Sequence, residues 1–352
     1  MSLDGDATER TPGLPWLALP PWHAAALAGA ARERATVPHA LLVQGPAGIG
    51  KHAFALHLAN ALLCETPTEA GTACGRCPGC SYAMAGQHPD LLRIELAAVD
   101  AETGEMIGSD LIPIERIRGL IDFAQLTGHR GRAKVAVIAP AERMNLAAAN
   151  ALLKTLEEPP PGTYLLLVSS QPGRLPATVV SRCRRLVLAR PDQGTAEAWL
   201  ETQGVREPSV VLAQAGGAPL TALELAHPGI QQERKAWLGA LVDPGRLRPL
   251  QLAARVETGS REERKERLRL LVDWLLALTA DVARTRSGGG AVRNPDFTQE
   301  IAALAARVAP LRLFRYHRLV LEHRVLLSHP LQPRLVAESL LVQYHQLFAG
   351  AT

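Results

Sequence analysis

Four of the five cysteines of the chain lie close together, with a spacing that is typical of a metal site. They are separated by nine, two and two residues: Cys64, Cys74, Cys77 and Cys80. Four thiolates around one tetrahedral zinc ion fill its coordination sphere, which leaves no open position for a substrate. The pattern therefore predicts a structural metal site rather than a catalytic one.

The residues between these cysteines fit that prediction. Gly75, Pro78 and Gly79 predict tight turns that direct successive sulfurs toward one point. Two disulfides are a disfavoured alternative, because a reducing compartment keeps thiols reduced. An iron–sulfur cluster remains an alternative, because C-x2-C-x2-C also begins ferredoxin motifs. We predict zinc, which would join the end of the preceding helix to the segment that follows.

A second motif could bind phosphate. Residues 45–51 read Gly-Pro-Ala-Gly-Ile-Gly-Lys, which matches the G-x4-G-K core of a P-loop. They lie between a predicted strand, 40–44, and a predicted helix, 52–63, as the motif requires. In such a loop, backbone N–H groups and the helix N-terminus surround phosphate; the alternative is a glycine-rich turn without a ligand. The candidate nucleotide-binding residues are its glycines and lysine: Gly45, Gly48, Gly50 and Lys51.

Two groups that support ATP hydrolysis are missing from their expected positions. His52 stands where a Ser or Thr hydroxyl binds magnesium, and a neutral imidazole is a poor ligand for that hard ion. The predicted strand 134–138 should end in an acidic pair, but Ala-Pro-Ala follows at 139–141 and the first carboxylate is Glu142. We expect no hydrolysis, which leaves only weak nucleotide binding open.

The elements that position these motifs alternate between short apolar runs and helical patterns from about residue 22 to 188. This alternation predicts βαβ units around a parallel sheet. Strands are expected at 40–44, 91–95, 134–138, 164–169 and 185–188. Helices are expected at 23–34, 52–63, 114–126 and 145–157, the last ended by three prolines.

The rest of the chain shows helical patterns only. A short zone, about 189–229, predicts a small helical subdomain with helices at 195–203 and 208–215. From about residue 230 onward, the glycines at 288–290 interrupt a longer helical zone. Its helices are expected at 231–241, 262–284, 298–308, 311–327 and 331–348.

The composition limits the classes of function. Hydrophobic residues make up 47% of the 352 residues and charged residues 20%, which fits a folded chain of two or three domains. The net charge of +4 and an aromatic content of 4% do not indicate a nucleic-acid binder. No apolar run reaches the roughly 18 residues of a membrane helix, and the polar N-terminus is unlike a signal peptide. We expect a cytoplasmic protein with no membrane partner.

Several motifs occur in a fixed order: the P-loop, the cysteine cluster, the run Asn-Ala-Leu-Leu-Lys-Thr-Leu-Glu-Glu-Pro-Pro at 150–160 and the tripeptide Ser-Arg-Cys at 181–183. As an ordered set they resemble the subunits of the bacterial DNA polymerase III clamp loader, an AAA+ assembly, most strongly from about residue 20 to 225. The resemblance implies an α/β AAA+ P-loop core with a parallel sheet, a small helical lid domain and an all-α C-terminal collar domain. The implied boundaries are 1–189 for the core, with the zinc-binding module at about 64–80, 190–230 for the lid and 231–352 for the collar.

Two kinds of subunit in that family carry these motifs. The motor subunit, gamma or tau, has a complete P-loop and an acidic strand end, whereas another kind keeps the fold and the zinc site without the ATPase residues. His52 and the Ala139-Pro140 strand end match the second kind. Leu220 agrees, because it lies where the motor has a nucleotide-sensing arginine. We expect a non-hydrolysing subunit; the alternative is an ATP-hydrolysing motor.

The arginine of the Ser-Arg-Cys tripeptide is the one expected catalytic group. In clamp loaders this arginine projects into the ATP site of the neighbouring subunit, where a guanidinium supplied in trans stabilises the transferring phosphate. The resemblance therefore implies a catalytic role for Arg182 on a neighbour's ATP. The alternative is that Arg182 pairs with a nearby carboxylate of its own chain.

Two other pairs of residues lie near these motifs. Ser169 and Ser170 fall at the family's first sensor position, although the end of a strand also favours such residues as capping groups. Glu157 and Glu158 do not suit paired acid–base catalysis, because adjacent residues point to different faces of a helix.

The resemblance also implies partners and a cofactor. The expected assembly is a hetero-pentamer with motor (gamma or tau) and delta subunits, which loads the sliding clamp onto primed DNA as part of the DNA polymerase III holoenzyme. The expected cofactor is structural zinc. A zinc-dependent nucleic-acid-binding module, with residues 74–80 as its knuckle, is the alternative from another class.

Overall fold

The chain forms two compact units in the computed structural model, Met1–Pro191 and Asp192–Thr352. The structure describes residues 16–32, 37–96, 111–129, 133–327 and 332–348. The polar N-terminus and the ends of two expected helices, at 33–34 and 331, lie outside these ranges. No helix in the described ranges is long and apolar enough to cross a membrane.

The first unit is built on a five-stranded sheet. Its strands are β1 Ala40–Gln44, β2 Leu91–Glu95, β3 Lys134–Ala139, β4 Thr163–Ser169 and β5 Arg184–Val187. All pairs are parallel, and the order across the sheet is β2-β3-β4-β1-β5. Strands β1, β3 and β4 are largely apolar and buried, as expected for parallel strands covered on both faces. All five predicted strands are confirmed, with ends that differ by at most one residue.

Helices cover both faces of this sheet. They are α1 Ala24–Ala31, α2 Lys51–Leu63, α3 Pro78–Met84, α4 Ile114–Gln125, α5 Leu146–Glu157 and α6 Ala177–Val180. Leu41 and Val43 of β1 belong to the hydrophobic cluster that contains α1 and α2, whereas Leu42 belongs to the cluster that contains α4 and α5. Because side chains alternate along a strand, one apolar run supplies both clusters.

Two expectations for this unit were wrong in detail. The helix expected at 23–34 starts as a 3₁₀ turn, Pro21–His23, and continues as α1 only to Ala31. Gly79, expected in a tight turn, lies inside α3, because Pro78 occupies the first helical position, for which its fixed φ is suited. Gly75 does adopt a left-handed turn, with φ of 74°.

The described part of the second unit contains helices and connecting loops but no strand. Three short helices share a small hydrophobic cluster: α7 Gln193–Thr202, α8 Pro208–Gln214 and α9 Pro219–Leu225. Six more surround a larger cluster: α10 Pro228–Leu241, α11 Pro249–Ala253, α12 Arg261–Arg286, α13 Thr298–Arg307, α14 Pro310–Leu326 and α15 Pro333–Gln346. These two clusters fit the predicted lid and collar, a division that stays a prediction.

A buried carboxylate fixes the loop between α12 and α13. Asp281 is 1% exposed, and its oxygens accept hydrogen bonds from the backbone N–H groups of Val292, Arg293 and Asn294 at 2.9, 3.0 and 2.8 Å. The Arg293 side chain in turn donates from Nε to the carbonyl of Gln214, the last residue of α8, at 2.9 Å. The loop that Asp281 shapes therefore links the segment expected to be the lid to the segment expected to be the collar.

Candidate functional site

The predicted P-loop lies between the end of β1 and the start of α2. Gly48 and Gly50 adopt left-handed backbone conformations, with φ of 71° and 91°, which side chains with a Cβ rarely allow. Gly45 is needed for a different reason, since a Cβ there would lie 2.3 Å from the carbonyl oxygen of Leu188. Gly48 and Gly50 are thus needed for the conformation of the loop, and Gly45 is needed for its close contact with the segment after β5.

Two aromatic side chains hold the P-loop from the 3₁₀ turn before α1. Trp22 donates from Nε1 to the carbonyl oxygen of Ile49 at 2.9 Å, and His23 Nε2 lies 2.7 Å from the same oxygen. Burial lowers the pKa of His23, although its bond to that carbonyl opposes the change. The neutral ring must therefore carry its proton on Nε2. No local pattern predicts this contact, because the partners are more than 25 residues apart in the chain.

The P-loop lysine is bonded to its own chain. Lys51 is 5% exposed, and its Nζ donates to the carbonyl of Pro46 at 2.5 Å and to the hydroxyl of Ser170 at 2.9 Å. Burial lowers the pKa of Lys51 to about 8, although the nearby charge of Glu142 acts in the opposite direction. The group that would reach the outer phosphates of a nucleotide is thus held by groups of the protein.

The end of β3 lacks the groups that a hydrolysing site needs. Ala139 ends the strand and Pro140 follows it, and neither can bind a metal ion or accept a proton. The first carboxylate, Glu142, accepts a hydrogen bond at Oε1 from the backbone N–H of Ser170 at 3.0 Å. The strand end therefore has neither the magnesium ligand nor the carboxylate that positions the attacking water in a motor.

The two serines at the end of β4 have different contacts. Ser169 is buried, and its hydroxyl oxygen accepts a hydrogen bond from the backbone N–H of Gln171 at 3.1 Å, which is a capping contact. Ser170 is the residue that contacts Lys51. Of the two residues at the expected sensor position, Ser170 is thus the one in contact with the P-loop lysine.

His52, in the first turn of α2, contacts a carboxylate on β2, which is an edge strand of the sheet. Its Nε2 lies 3.2 Å from Oε1 of Glu95, and Arg93 donates from Nε to the same oxygen at 2.7 Å. Burial raises the pKa of Glu95, but His52 and Arg93 outweigh it, so that the pKa is lowered. The sequence analysis did not identify Arg93 or Glu95 as partners of His52. Their spacing could have indicated it, because residues two positions apart on a strand such as β2 lie on the same face.

Arg182 lies two residues beyond the short helix α6 and pairs with the end of α5. Its Nε donates to Oε1 of Glu157 at 2.6 Å, and Nη2 contacts the same oxygen. Its Nη1 donates to the carbonyl of Thr178 at 2.9 Å. The pairing with a carboxylate that the sequence left open is present, yet 34% of the Arg182 side chain is exposed. A group outside the chain can therefore still reach the guanidinium.

The four clustered cysteines meet at the end of α2. Their sulfur atoms all lie within 4.8 Å of one another, with 3.9 Å between Cys64 and Cys77 and 4.0 Å between Cys74 and Cys80. A tetrahedral ion with Zn–S bonds of about 2.3 Å places its sulfurs about 3.8 Å apart. The cysteines are free of disulfides, and the group could hold one metal ion.

Hydrogen-bond donors around the sulfurs favour thiolates at two of the four positions. The Thr66 hydroxyl and backbone N–H groups lower the pKa of Cys74 to about 5. The pKa of Cys77 is also lowered, because backbone donors, first that of Cys80, outweigh burial. Burial raises the pKa of Cys64 and Cys80. A metal ligand must be a thiolate, and this compact set of sulfurs and donors could hold a metal ion.

The predicted site residues thus fall in three places. Lys51, Ser170 and Glu142 meet at the carboxyl edge of the sheet. The cysteine group lies at the other end of α2, about 20 Å away for a helix of 13 residues. Arg182 forms its contacts with α5 and α6 instead.

Comparisons with known proteins decide the family. A family model described as "DNA polymerase III, delta subunit" matches residues 24–192. The DNA polymerase III subunit delta' of Pseudomonas aeruginosa is 35% identical over 323 residues, which cover 89% of this chain and 94% of that protein. The chain belongs to the delta-prime family of DNA polymerase III subunits. Subunit delta' of Escherichia coli, 33% identical and covering 78% of each chain, agrees with this assignment.

The resemblance to the DNA polymerase III clamp-loader subunits is thereby confirmed. Subunit tau of Escherichia coli is 38% identical over 147 residues, but these cover only 42% of this chain and 21% of tau. A gamma-subunit-related protein from Thermotoga maritima aligns with 91% of this chain at 18% identity and a TM-score of 0.40. The expected fold class is confirmed too, with a P-loop after β1 of a parallel sheet and a helical second unit.

Proposed function

We propose that this chain is a non-hydrolysing subunit of a DNA polymerase III clamp loader and acts through Arg182 on ATP held by a neighbouring subunit. One contrast carries the proposal. The chain keeps an accessible arginine in the Ser-Arg-Cys tripeptide, while it lacks the magnesium-binding hydroxyl and the acidic strand end that its own P-loop would need.

The contacts of the P-loop support the absence of hydrolysis. Lys51 is bonded to Pro46 and Ser170, and His52 faces Glu95 rather than serving as a hard-ion ligand. Hydrolysis requires a metal ion on the phosphates and a group that positions the attacking water. These contacts argue against the alternative function, an ATP-hydrolysing motor.

Arg182 has the chemistry for a role in trans. A guanidinium keeps its positive charge at all relevant pH values and binds phosphate oxygens with two parallel N–H groups. An arginine supplied by a neighbouring protein accelerates phosphoryl transfer by about 10³–10⁵. Arg182 would stabilise the charge that develops on the transferred phosphate of the motor's ATP.

The remaining parts of the chain would support the assembly. The four-cysteine group would hold a structural zinc ion that joins the end of α2 to the segment leading into α3. The helices of 231–352 would form the collar of a hetero-pentamer with motor (gamma or tau) and delta subunits, and 190–230 the lid. The pentamer would place the sliding clamp on primed DNA in the cytoplasm.

Reconstitution tests the proposal. The purified chain is mixed with its motor and delta subunits, and ATP hydrolysis on primed DNA is measured for wild type, Arg182→Ala and, as the matched control, the exposed neighbour Arg184→Ala. We expect Arg182→Ala to assemble normally and to lose the turnover of one ATP site, while Arg184→Ala behaves as wild type. Full turnover with Arg182→Ala, or motor-like hydrolysis by the isolated chain, contradicts the proposal.

A further inference from the structure

One edge of the Arg182 guanidinium is already occupied in the free chain. A guanidinium has five N–H donors in a fixed plane and can present them as two forks, Nε with Nη2 at the side and Nη1 with Nη2 at the end. Glu157 takes the side fork through its Oε1 atom. The carbonyl of Thr178 takes one donor of Nη1.

This arrangement leaves donors at the end fork. Nη1 and Nη2 carry two hydrogens each, so Nη2 has a further N–H after its contact with Glu157. The second N–H of Nη1 is engaged only by a long contact of 3.4 Å with the hydroxyl of Ser181, which a phosphate oxygen can replace. A phosphate can therefore bind at the end fork without displacing Glu157 from the side fork. The carboxylate then holds the arginine during phosphate binding and does not compete for it.

We propose that Glu157 is a positioning residue that orients Arg182 for the phosphate of a nucleotide on the neighbouring subunit. The inference rests on the proposed function of Arg182 and adds a second residue to it. An arginine on an exposed surface samples many rotamers, and each must be lost when phosphate binds. Glu157 and the Thr178 carbonyl restrict those rotamers beforehand, which lowers the entropy lost in the transition state.

The place of Glu157 in the fold suits this role. It is the last residue of α5, and the prolines that follow end the helix. Because α5 packs against the sheet through buried residues such as Leu152 and Leu156, its end is a fixed point for the loop that carries Arg182. The adjacent Glu158 is the C-cap residue, with an exposed side chain, and provides a control with the same charge.

The test uses the reconstituted loader with primed DNA. Single-turnover hydrolysis and assembly affinity are measured for Glu157→Ala, Glu157→Gln and Glu158→Ala. We expect Glu157→Ala to slow the adjoining site about five- to tenfold with assembly unchanged, which is the loss of a preorganised contact. Glu157→Gln keeps an oxygen acceptor and should restore part of the rate, while Glu158→Ala should equal wild type.

A double substitution separates positioning from a general structural role. Because Glu157 is proposed to act through Arg182, Glu157→Ala should have no further effect in the Arg182→Ala background. A further loss there, or a Glu157→Ala rate equal to or above wild type, overturns the inference; a higher rate would mean that Glu157 restrains the arginine. If Arg182→Ala slows hydrolysis and Glu157→Ala does not, only the positioning role fails, whereas a normal rate with Arg182→Ala removes the proposed function itself.

Discussion

Lys51 and Ser170 are joined by a hydrogen bond of 2.9 Å between Nζ and the hydroxyl oxygen, although 119 residues separate them in the sequence. The bond links the first residue of α2 to the residue after β4, the strand that pairs with β1. The P-loop lysine is thereby part of the core's own bonding, and its charge is buried among protein groups. This burial makes the state of Lys51 measurable through the pH dependence of stability.

The stability of the folded chain should rise with pH in the range in which Lys51 loses its proton. Its pKa is about 8 when folded, against 10.5 for an ordinary lysine, so between these values the unfolded chain binds more protons. The loss of the Lys51 proton adds about 3 kcal/mol to the free energy of unfolding. This gain is absent below pH 8 and complete above pH 10.5. Lys51→Met removes it, so the stability difference between wild type and Lys51→Met should move in favour of wild type from pH 7 to 10.

Urea unfolding of both proteins across that pH range checks the prediction, since the titration of all other groups cancels in the difference. The exposed residue Lys154, changed to Met, is the matched control for the loss of a lysine charge at the surface. A flat difference for Lys51→Met would show that its ammonium is not desolvated.

Glu142 should hold the pKa of Lys51 up. Burial lowers that pKa, and the charge of Glu142 acts against burial. Glu142→Gln removes the charge but keeps an oxygen that can accept the N–H of Ser170. We therefore expect the pKa of Lys51 to fall further below 8, as measured by NMR of lysine labelled with carbon-13, with the signal assigned through Lys51→Met. An unchanged pKa in Glu142→Gln would mean that the two charges do not interact.

The sequence was sufficient for the strands, the P-loop and the cysteine group, because each depends on a local pattern. Apolar runs bounded by turn residues place β1 and β3, and Gly48 and Gly50 mark backbone that only glycine adopts readily. The short helices α3, α6, α9 and α11 were not expected, since four to seven residues carry little periodicity. The equally short α8 was predicted because a proline at 208 and glycines at 216–217 mark its two ends.

The residues that contact the site residues could not be predicted from local patterns in the sequence. The contacts of Trp22 with Ile49 and of Arg182 with Glu157 join residues that are distant in sequence, and they depend on which elements pack together. For Arg182 the sequence allowed a carboxylate partner without indicating which one. Glu157 became identifiable only when α5 and α6 were placed side by side.

The cysteine group should hold one zinc ion per chain. Four sulfurs at near-tetrahedral separations, with N–H and hydroxyl donors, form a closed site for that ion. We expect about one equivalent of zinc by elemental analysis, a fall in melting temperature with a strong chelator, and loss of the metal in Cys77→Ser. Cys183→Ala, which alters the fifth cysteine in the core, should keep the metal. Bound iron with absorbance near 400 nm would indicate the iron–sulfur alternative instead.

The loop between α12 and α13 should depend on Asp281. Its buried carboxylate accepts three backbone N–H groups, of which that of Asn294 is buried and those of Val292 and Arg293 are partly buried. Asp281→Ala leaves these donors without an acceptor, and because each unsatisfied buried group costs about 1–3 kcal/mol, we expect a loss of about 3 kcal/mol or more in urea unfolding. Asp281→Asn keeps one acceptor oxygen and should lose less.

The same substitution should also release the link to α8, because Arg293 reaches the carbonyl of Gln214 from the loop that Asp281 shapes. Amide hydrogen exchange in residues 287–297 should therefore increase in Asp281→Ala before global unfolding. Asp273, which is on the same helix but forms partly exposed ion pairs, is the control, and Asp273→Ala should cost about 1 kcal/mol or less. Equal losses in the two variants, with unchanged exchange in the loop, would show that Asp281 contributes only as a helix residue and does not support the loop.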